Sequence, residues 1–224
     1  MSAFLAILRK DLILELRGGR STMALVSLAL LVLVVLTFAL DRSAGGGGPA
    51  TAAGALWIAL VFAGMLGATR VMVAEQENGC LRALLLSPVD RAILYAAKLT
   101  ASTTFMIAAA GAATIMAMLF FNLEFSDSLA TLAIALILGA LGFSALATLL
   151  AAISIRARGG ELLLPLLIVP LFVPALIAGV KASAAALSGA PLAAAREWVG
   201  ILIAFDVLFI AAGYLLFEHV VGEE

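Results

Sequence analysis

Six stretches of this chain, residues 21–40, 52–69, 99–121, 128–155, 162–180 and 198–217, carry between them one charged side chain, Asp206. A helix needs about 20 apolar residues to cross a hydrocarbon core of about 30 Å. The second and fifth stretches sit near the lower limit, and the fourth is long enough to tilt or to project beyond the bilayer. A membrane leaves no water for backbone N–H and C=O groups, so only helices or closed barrels can span it. Barrel strands would be about 10 residues long and strictly alternating, and these stretches do neither. With 65% hydrophobic residues against roughly 45–50% in soluble domains, a water-solvated globule is ruled out. The expected fold is all-α and integral to the membrane: six transmembrane helices in a single domain over residues 1–224. The first stretch is longer than a signal-peptide core of about 7–15 residues and reads as a retained anchor.

Positive charge sets the orientation. Arg9, Lys10, Arg17, Arg20, Arg70, Arg82, Arg91, Lys98, Arg156 and Arg158 fall on one side of the six spans, and Arg42, Lys181 and Arg196 on the other. Ten against three puts the first side in the cytoplasm. Both termini are then cytoplasmic, as an even number of spans requires. Residues 1–20 space Leu5, Leu8 and Leu12 along one helical face, which predicts a helix lying in the interface, or else a solvated start to the first span. Residues 45–49, four glycines and Pro49, predict a flexible external loop, and residues 122–127 a short acidic external turn. Residues 181–197, rich in Ala, Ser and Gly, read either as a re-entrant or interfacial element or as a plain loop.

Several chemistries lack their residues. The net charge is −1 and no basic tract suits a phosphate backbone, so nucleic acid is not an expected partner. Cys80 and His219 each stand alone, which leaves no zinc or haem ligand set and no cofactor site. No G-x-x-x-x-G-K-[ST] run occurs, so this chain cannot cradle ATP phosphates. Asp206 is the ninth residue of its run. A charge there costs about 2.5–3.5 kcal/mol on insertion scales, so it should face protein or water or be protonated. It serves either function or a structural hydrogen bond to a serine or threonine of a neighbouring helix. Pro165, Pro170 and Pro174 each remove a backbone donor, making either a gating hinge or a static kink. Glu161 is placed to pair with Arg158, and Ala135 and Gly139 to allow close helix packing.

The longest cytoplasmic connection, residues 70–98, is the most informative. Asn78-Gly79 is a turn or helix-end signal. Leu81, Leu84 and Leu85 make an apolar ridge at helical spacing. Ser87 and Asp90 can form a capping box around Pro88, which predicts a new helix from Ser87 into the third span. A structured loop in a chain without cytoplasmic domains is either a docking surface or a ridge lying on the membrane interface.

The run from Glu75 through Glu77, Asn78, Gly79 and Leu81 to Leu84, Leu85, Ser87 and Pro88 resembles the acidic, Gly-Leu, Leu-Leu, Ser/Thr-Pro loop of type-2 ABC exporter permeases. Within that superfamily the chain is most similar to the CcmB family, haem exporter protein B of cytochrome c maturation. Trp57, Leu141-Gly142-Phe143 and the run from Arg158 to Pro165, Pro170 and Pro174 extend the similarity over the whole chain. Glu75, Asn78 and Arg82 depart from the family's usual aspartate, Asp-Gly and acidic residue. The resemblance implies an ABC-2-type permease fold with an N-terminal interfacial helix and a cytoplasmic coupling helix. It implies a non-catalytic membrane subunit driven by a separate ATP-binding subunit, which would dock on Glu75, Glu77, Asn78, Gly79, Leu81, Leu84, Leu85, Ser87 and Pro88. The other partners it implies are haem-handling membrane subunits, a second copy of itself and membrane lipid. Haem is the ligand such a complex would carry or handle, with ATP on the partner subunit, in the bacterial inner membrane.

Two rivals of another class are poorly supplied. A membrane-embedded enzyme needs convergent polar residues, and an ion-coupled carrier usually has several intramembrane ionisable ones; the spans offer only Asp206. The closer competitor is a type-2 permease for another substrate, which a haem-lyase or haem-chaperone gene beside this one would disfavour.

Overall fold

The computed structural model describes residues 3–17, 19–39, 48–77, 90–121, 129–154 and 160–222. Those residues form seven helices and no strand: α1 (Ala3–Arg17), α2 (Gly19–Ala39), α3 (Pro49–Glu77), α4 (Arg91–Phe121), α5 (Leu129–Ser154), α6 (Gly160–Leu187) and α7 (Leu192–Gly222). Five contain a stretch long and apolar enough to cross a membrane: Pro49–Thr69, Arg91–Phe121, Leu129–Ser154, Leu163–Leu187 and Leu192–Leu216. The expectation of an all-α integral membrane protein therefore holds.

Several boundaries move, each for a local reason. Pro49 opens α3 rather than closing a loop: the Gly48 carbonyl accepts from the N–H groups of Thr51 and Ala52 at 3.0 and 3.1 Å, and proline at the first helical position loses no useful donor. Residues 181–197 are neither a re-entrant element nor a loop. Lys181–Leu187 completes α6, and α7 begins at Leu192. Between them Gly189 takes a positive φ of 75°. Its N–H bonds the Ala186 carbonyl and that of Ala190 bonds the Ala185 carbonyl, both at 3.0 Å. This is the Schellman arrangement that ends a helix on glycine, and Pro191 then prevents its continuation. At about 1.5 Å per residue, α6 with 28 residues and α7 with 31 are each longer than a hydrocarbon core of about 30 Å.

The α1 helix is described from Ala3 to Arg17. The side of α1 that packs on the bundle is not the Leu5, Leu8, Leu12 ridge. Ile7 is buried against Leu94 and Tyr95 of α4, with Phe4 packed beside it, while Leu5 is half exposed. Lys10 and Asp11 pair at 3.0 Å on the outer side, a contact of small energetic weight.

The helix at the centre is α5. Of its apolar window 61% is buried, against 22% for α4 and for α7. It is rich in Ala, Gly and Leu, and such small side chains let neighbouring backbones come close, which is what drives helix association where hydrophobicity cannot. The tightest contact is made by Trp57 of α3, which is 2% exposed. Its ring fills the space beside Gly139 of α5 and Gly179 of α6, where any β-carbon would overlap it. Its Nε1–H donates to Ser183 Oγ at 2.9 Å, which satisfies the one polar atom of the indole. Phe172 of α6 continues the packing, 5.2 Å from Phe143 and 5.7 Å from Phe205 in edge-to-face arrangements. The outward faces are apolar: Phe38, Leu119 and Leu166 are mostly exposed, as lipid contact requires.

Two substitutions should separate ring from hydrogen bond. Trp57→Ala is expected to destabilise the bundle by about 3–5 kcal/mol, and Trp57→Phe by about 1 kcal/mol, the usual worth of one hydrogen bond. Unfolding in mixed micelles measures both.

Candidate functional site

The expected docking segment begins on α3. Its last turn carries Glu75 and Glu77, whose backbone is helical. Asn78, Gly79, Leu81, Leu84, Leu85, Ser87 and Pro88 lie outside the described residues, as do residues 122–127 and Arg158. The far end of the segment is defined. Asp90 is non-helical and caps α4: Oδ1 accepts from the Ala92 N–H at 2.9 Å, and the Asp90 carbonyl accepts from Ile93 and Leu94 at 3.0 and 3.2 Å. The helix entering this span therefore starts at Arg91, after Asp90, rather than at Ser87. Asp90 acts as the N-cap itself and not as the third residue of a capping box.

That end of the bundle is where α1 packs. Tyr95 of α4 is buried, its ring occupying the space beside Gly213 of α7 and its hydroxyl donating to the Phe209 carbonyl at 3.4 Å. Together with Ile7, Leu94, Ala145 and Ala152 it forms a second apolar cluster, apart from the one around Trp57. The cluster ties the first turns of α4, which follow the docking segment, to α1, α5 and α7.

Asp206 lies inside the protein, as expected, and is 4% exposed. It packs on α5 at Gly142, whose missing β-carbon leaves room for the carboxyl. The hydrogen bond to a serine or threonine is not there: among the described residues neither oxygen has a partner. Ser144 and Ser154 of α5 are also buried with unpartnered hydroxyls. Spacing on α7 could place Asp206 at mid-helix, but only the packed bundle puts Gly142 opposite it.

The three prolines lie within one continuous helix. Pro170 and Pro174 are exposed and Pro165 is half-buried, while Phe172 between them points into the core. Pro170 and Pro174 thus face away from the packed side of an unbroken helix. Trp57, Phe143, Phe172, Met106 and Gly139 line a cavity of about 10 Å³, room for one water at most and too apolar to hold it. A porphyrin does not fit there.

The chain matches the CcmB protein family over residues 2–220. It belongs to that family. It is 32% identical over 195 residues to heme exporter protein B of Bradyrhizobium diazoefficiens, covering 84% of each chain. The heme exporter protein B of Pseudomonas aeruginosa is 32% identical over 167 residues, 71% of this chain and 73% of that one. The Rhodobacter capsulatus heme exporter protein B is 31% identical over 183 residues, 79% and 80% of the two chains. The alignments therefore run over most of the CcmB length and are not confined to one apolar segment.

The prolines give a test. Pro170→Ala with Pro174→Ala restores two backbone donors to α6 and should leave the protein at normal level in the membrane with its transport output intact. Loss of output at unchanged level would mark a working hinge. Complementation of a strain lacking the gene reads both.

Proposed function

We propose that this chain is the transmembrane permease subunit of an ABC transporter complex that serves haem export or haem-chaperone loading in cytochrome c maturation. The observation that carries the reading is the family match over residues 2–220, joined to relatives called heme exporter protein B that align along most of both chains. In this reading α2, with 21 residues, is the sixth span beside the five long apolar helices, and the helices adopt an ABC-2-type arrangement in the bacterial inner membrane. The ten-to-three division of Lys and Arg puts the α1 end in the cytoplasm.

ATP hydrolysis belongs to a partner ATPase, and force must cross a surface that this chain presents. The docking segment from Glu75 to Pro88 supplies it: Glu75 and Glu77 form a charged rim, and Leu81, Leu84 and Leu85 an apolar anchor of the kind used in helix-in-groove recognition. Asn78-Gly79 and Ser87-Pro88 set its turns. Because α3 is one helix from Pro49 to Glu77, displacement of the segment is delivered along a rigid rod to the Trp57 contact. Haem is the handled ligand, and a second copy of the chain and further haem-handling subunits complete the complex.

Leu84→Glu or Leu85→Glu should leave the protein in the membrane and remove the ATPase on co-purification, since anchors of this kind commonly contribute more than about 2 kcal/mol. Changes at residues 122–127 should leave the complex intact. Retention of the ATPase by both leucine variants would shift the docking surface to α1. For orientation, a cytoplasmic reporter fused at Glu224 should be active and a periplasmic one silent; the reverse pattern would invert the topology.

A further inference from the structure

We propose that Asp206 is a proton-binding site in the seam between α5 and α7. The carboxyl is 4% exposed at the middle of α7, and neither oxygen meets a hydrogen-bond partner among the described residues. One oxygen lies so close to Gly142 that a β-carbon there would overlap it. The ring of Phe205, packed edge-to-face on Phe172, lines the same place.

Among the described residues no cation stands opposite. Residues Leu129–Ser154 of α5 include no ionisable side chain. Of α6, Lys181 is exposed at the hairpin end, and Glu161 belongs to the other end, far along the helix from the level of Asp206. From α4 come Arg91, Tyr95 and Lys98, of which the Tyr95 hydroxyl reaches the Phe209 carbonyl, nearly one turn further along α7. On α7 itself Arg196, Glu197 and Tyr214 are exposed and at least two turns away, and Glu218 and His219 lie more than three turns further along the helix. An isolated carboxylate is not sustained where burial shuts out bulk water and no described counter-ion is near. It must take a positive charge of its own.

The geometry selects the proton for that role. An alkali ion needs several oxygen ligands and room for itself. On the side that faces Gly142 not even a β-carbon fits, so an ion with its shell does not fit there. Among the described residues there is also no cluster of acidic, histidine or cysteine side chains to complete such a shell. A proton needs neither space nor further ligands. The site stands on these contacts alone and is independent of the haem-export reading.

The test uses the purified full-length chain in detergent micelles, treated with dicyclohexylcarbodiimide. The reagent reacts with a protonated carboxyl: the proton passes to a carbodiimide nitrogen while the carboxyl oxygen adds to the central carbon, and the adduct rearranges to a stable N-acylurea. Peptide mass spectrometry should find the label on Asp206, equally in sodium chloride and in choline chloride, and find none at that position in Asp206→Asn. The Asn variant, neutral and nearly isosteric, should keep a thermal midpoint within about 2 °C of wild type. Label suppressed by sodium but not by choline would overturn the proposal in favour of an alkali-ion site. Absence of label in both salts, or a midpoint well below wild type in Asp206→Asn, would overturn it in favour of a charged carboxylate with a structural partner.

Discussion

The indole of Trp57 against Gly139 and Gly179 is the contact on which the bundle depends. Lipid tails are as apolar as leucine, so helices in a membrane gain little from burying leucines against each other; close packing and a few hydrogen bonds decide which faces meet. Trp57 supplies both. Its ring fills the gap left by two missing β-carbons, and its single N–H is satisfied by Ser183, so a large, semi-polar side chain is buried at almost no polar cost. One side chain thereby fixes the mutual placement of α3, α5 and α6. Phe172, Phe143 and Phe205 extend the arrangement to α7.

Fixing these helices near one end leaves the other end to be organised separately. There Tyr95 repeats the same logic, its ring beside Gly213 and its hydroxyl on a helix carbonyl, with α1 packed on top through Ile7. Helix α3 connects the two levels without interruption, from Pro49 to Glu77. The Asp90 cap marks where α4 begins. The segment between Glu77 and Asp90 is therefore bounded by two long helices.

The sequence made the membrane architecture legible because hydrocarbon imposes a length and a polarity that can be counted residue by residue. The family was legible for a different reason: the Glu75–Pro88 pattern combines turn, cap and ridge signals that a plain loop does not need. Helix ends were less legible. Residues 181–197 look like neither span nor linker because Ala and Ser suit both helix and loop, and only the positive φ at Gly189 with its paired carbonyls marks the true turn. The Leu5, Leu8, Leu12 ridge did not mark Ile7 as the residue that packs on the bundle, because a short helix with apolar residues on two sides is oriented by its neighbour and not by its own pattern. The partner of Trp57 was hidden too. A buried indole requires an acceptor, but nothing local indicates that it lies 126 positions away at Ser183.

Glycine shows most clearly where local reading stops. Gly64 faces Phe143, Gly139 and Gly179 face Trp57, Gly142 faces Asp206 and Gly213 faces Tyr95. Gly54, Gly111 and Gly200, in equally apolar helices, have open space where a β-carbon would go. The two groups cannot be told apart by their flanking residues. What separates them is a large or polar side chain arriving from another helix, a non-local fact. A glycine inside a helix costs about 1 kcal/mol relative to alanine. In the first group that cost is offset by the depth to which the opposing side chain can sink. The aromatic members of the group gain contact area from this. Asp206 gains only exclusion from lipid, since Gly142 gives it room but no donor. Of the large or polar side chains seated on these glycines, the carboxyl is the one whose presence packing alone does not explain.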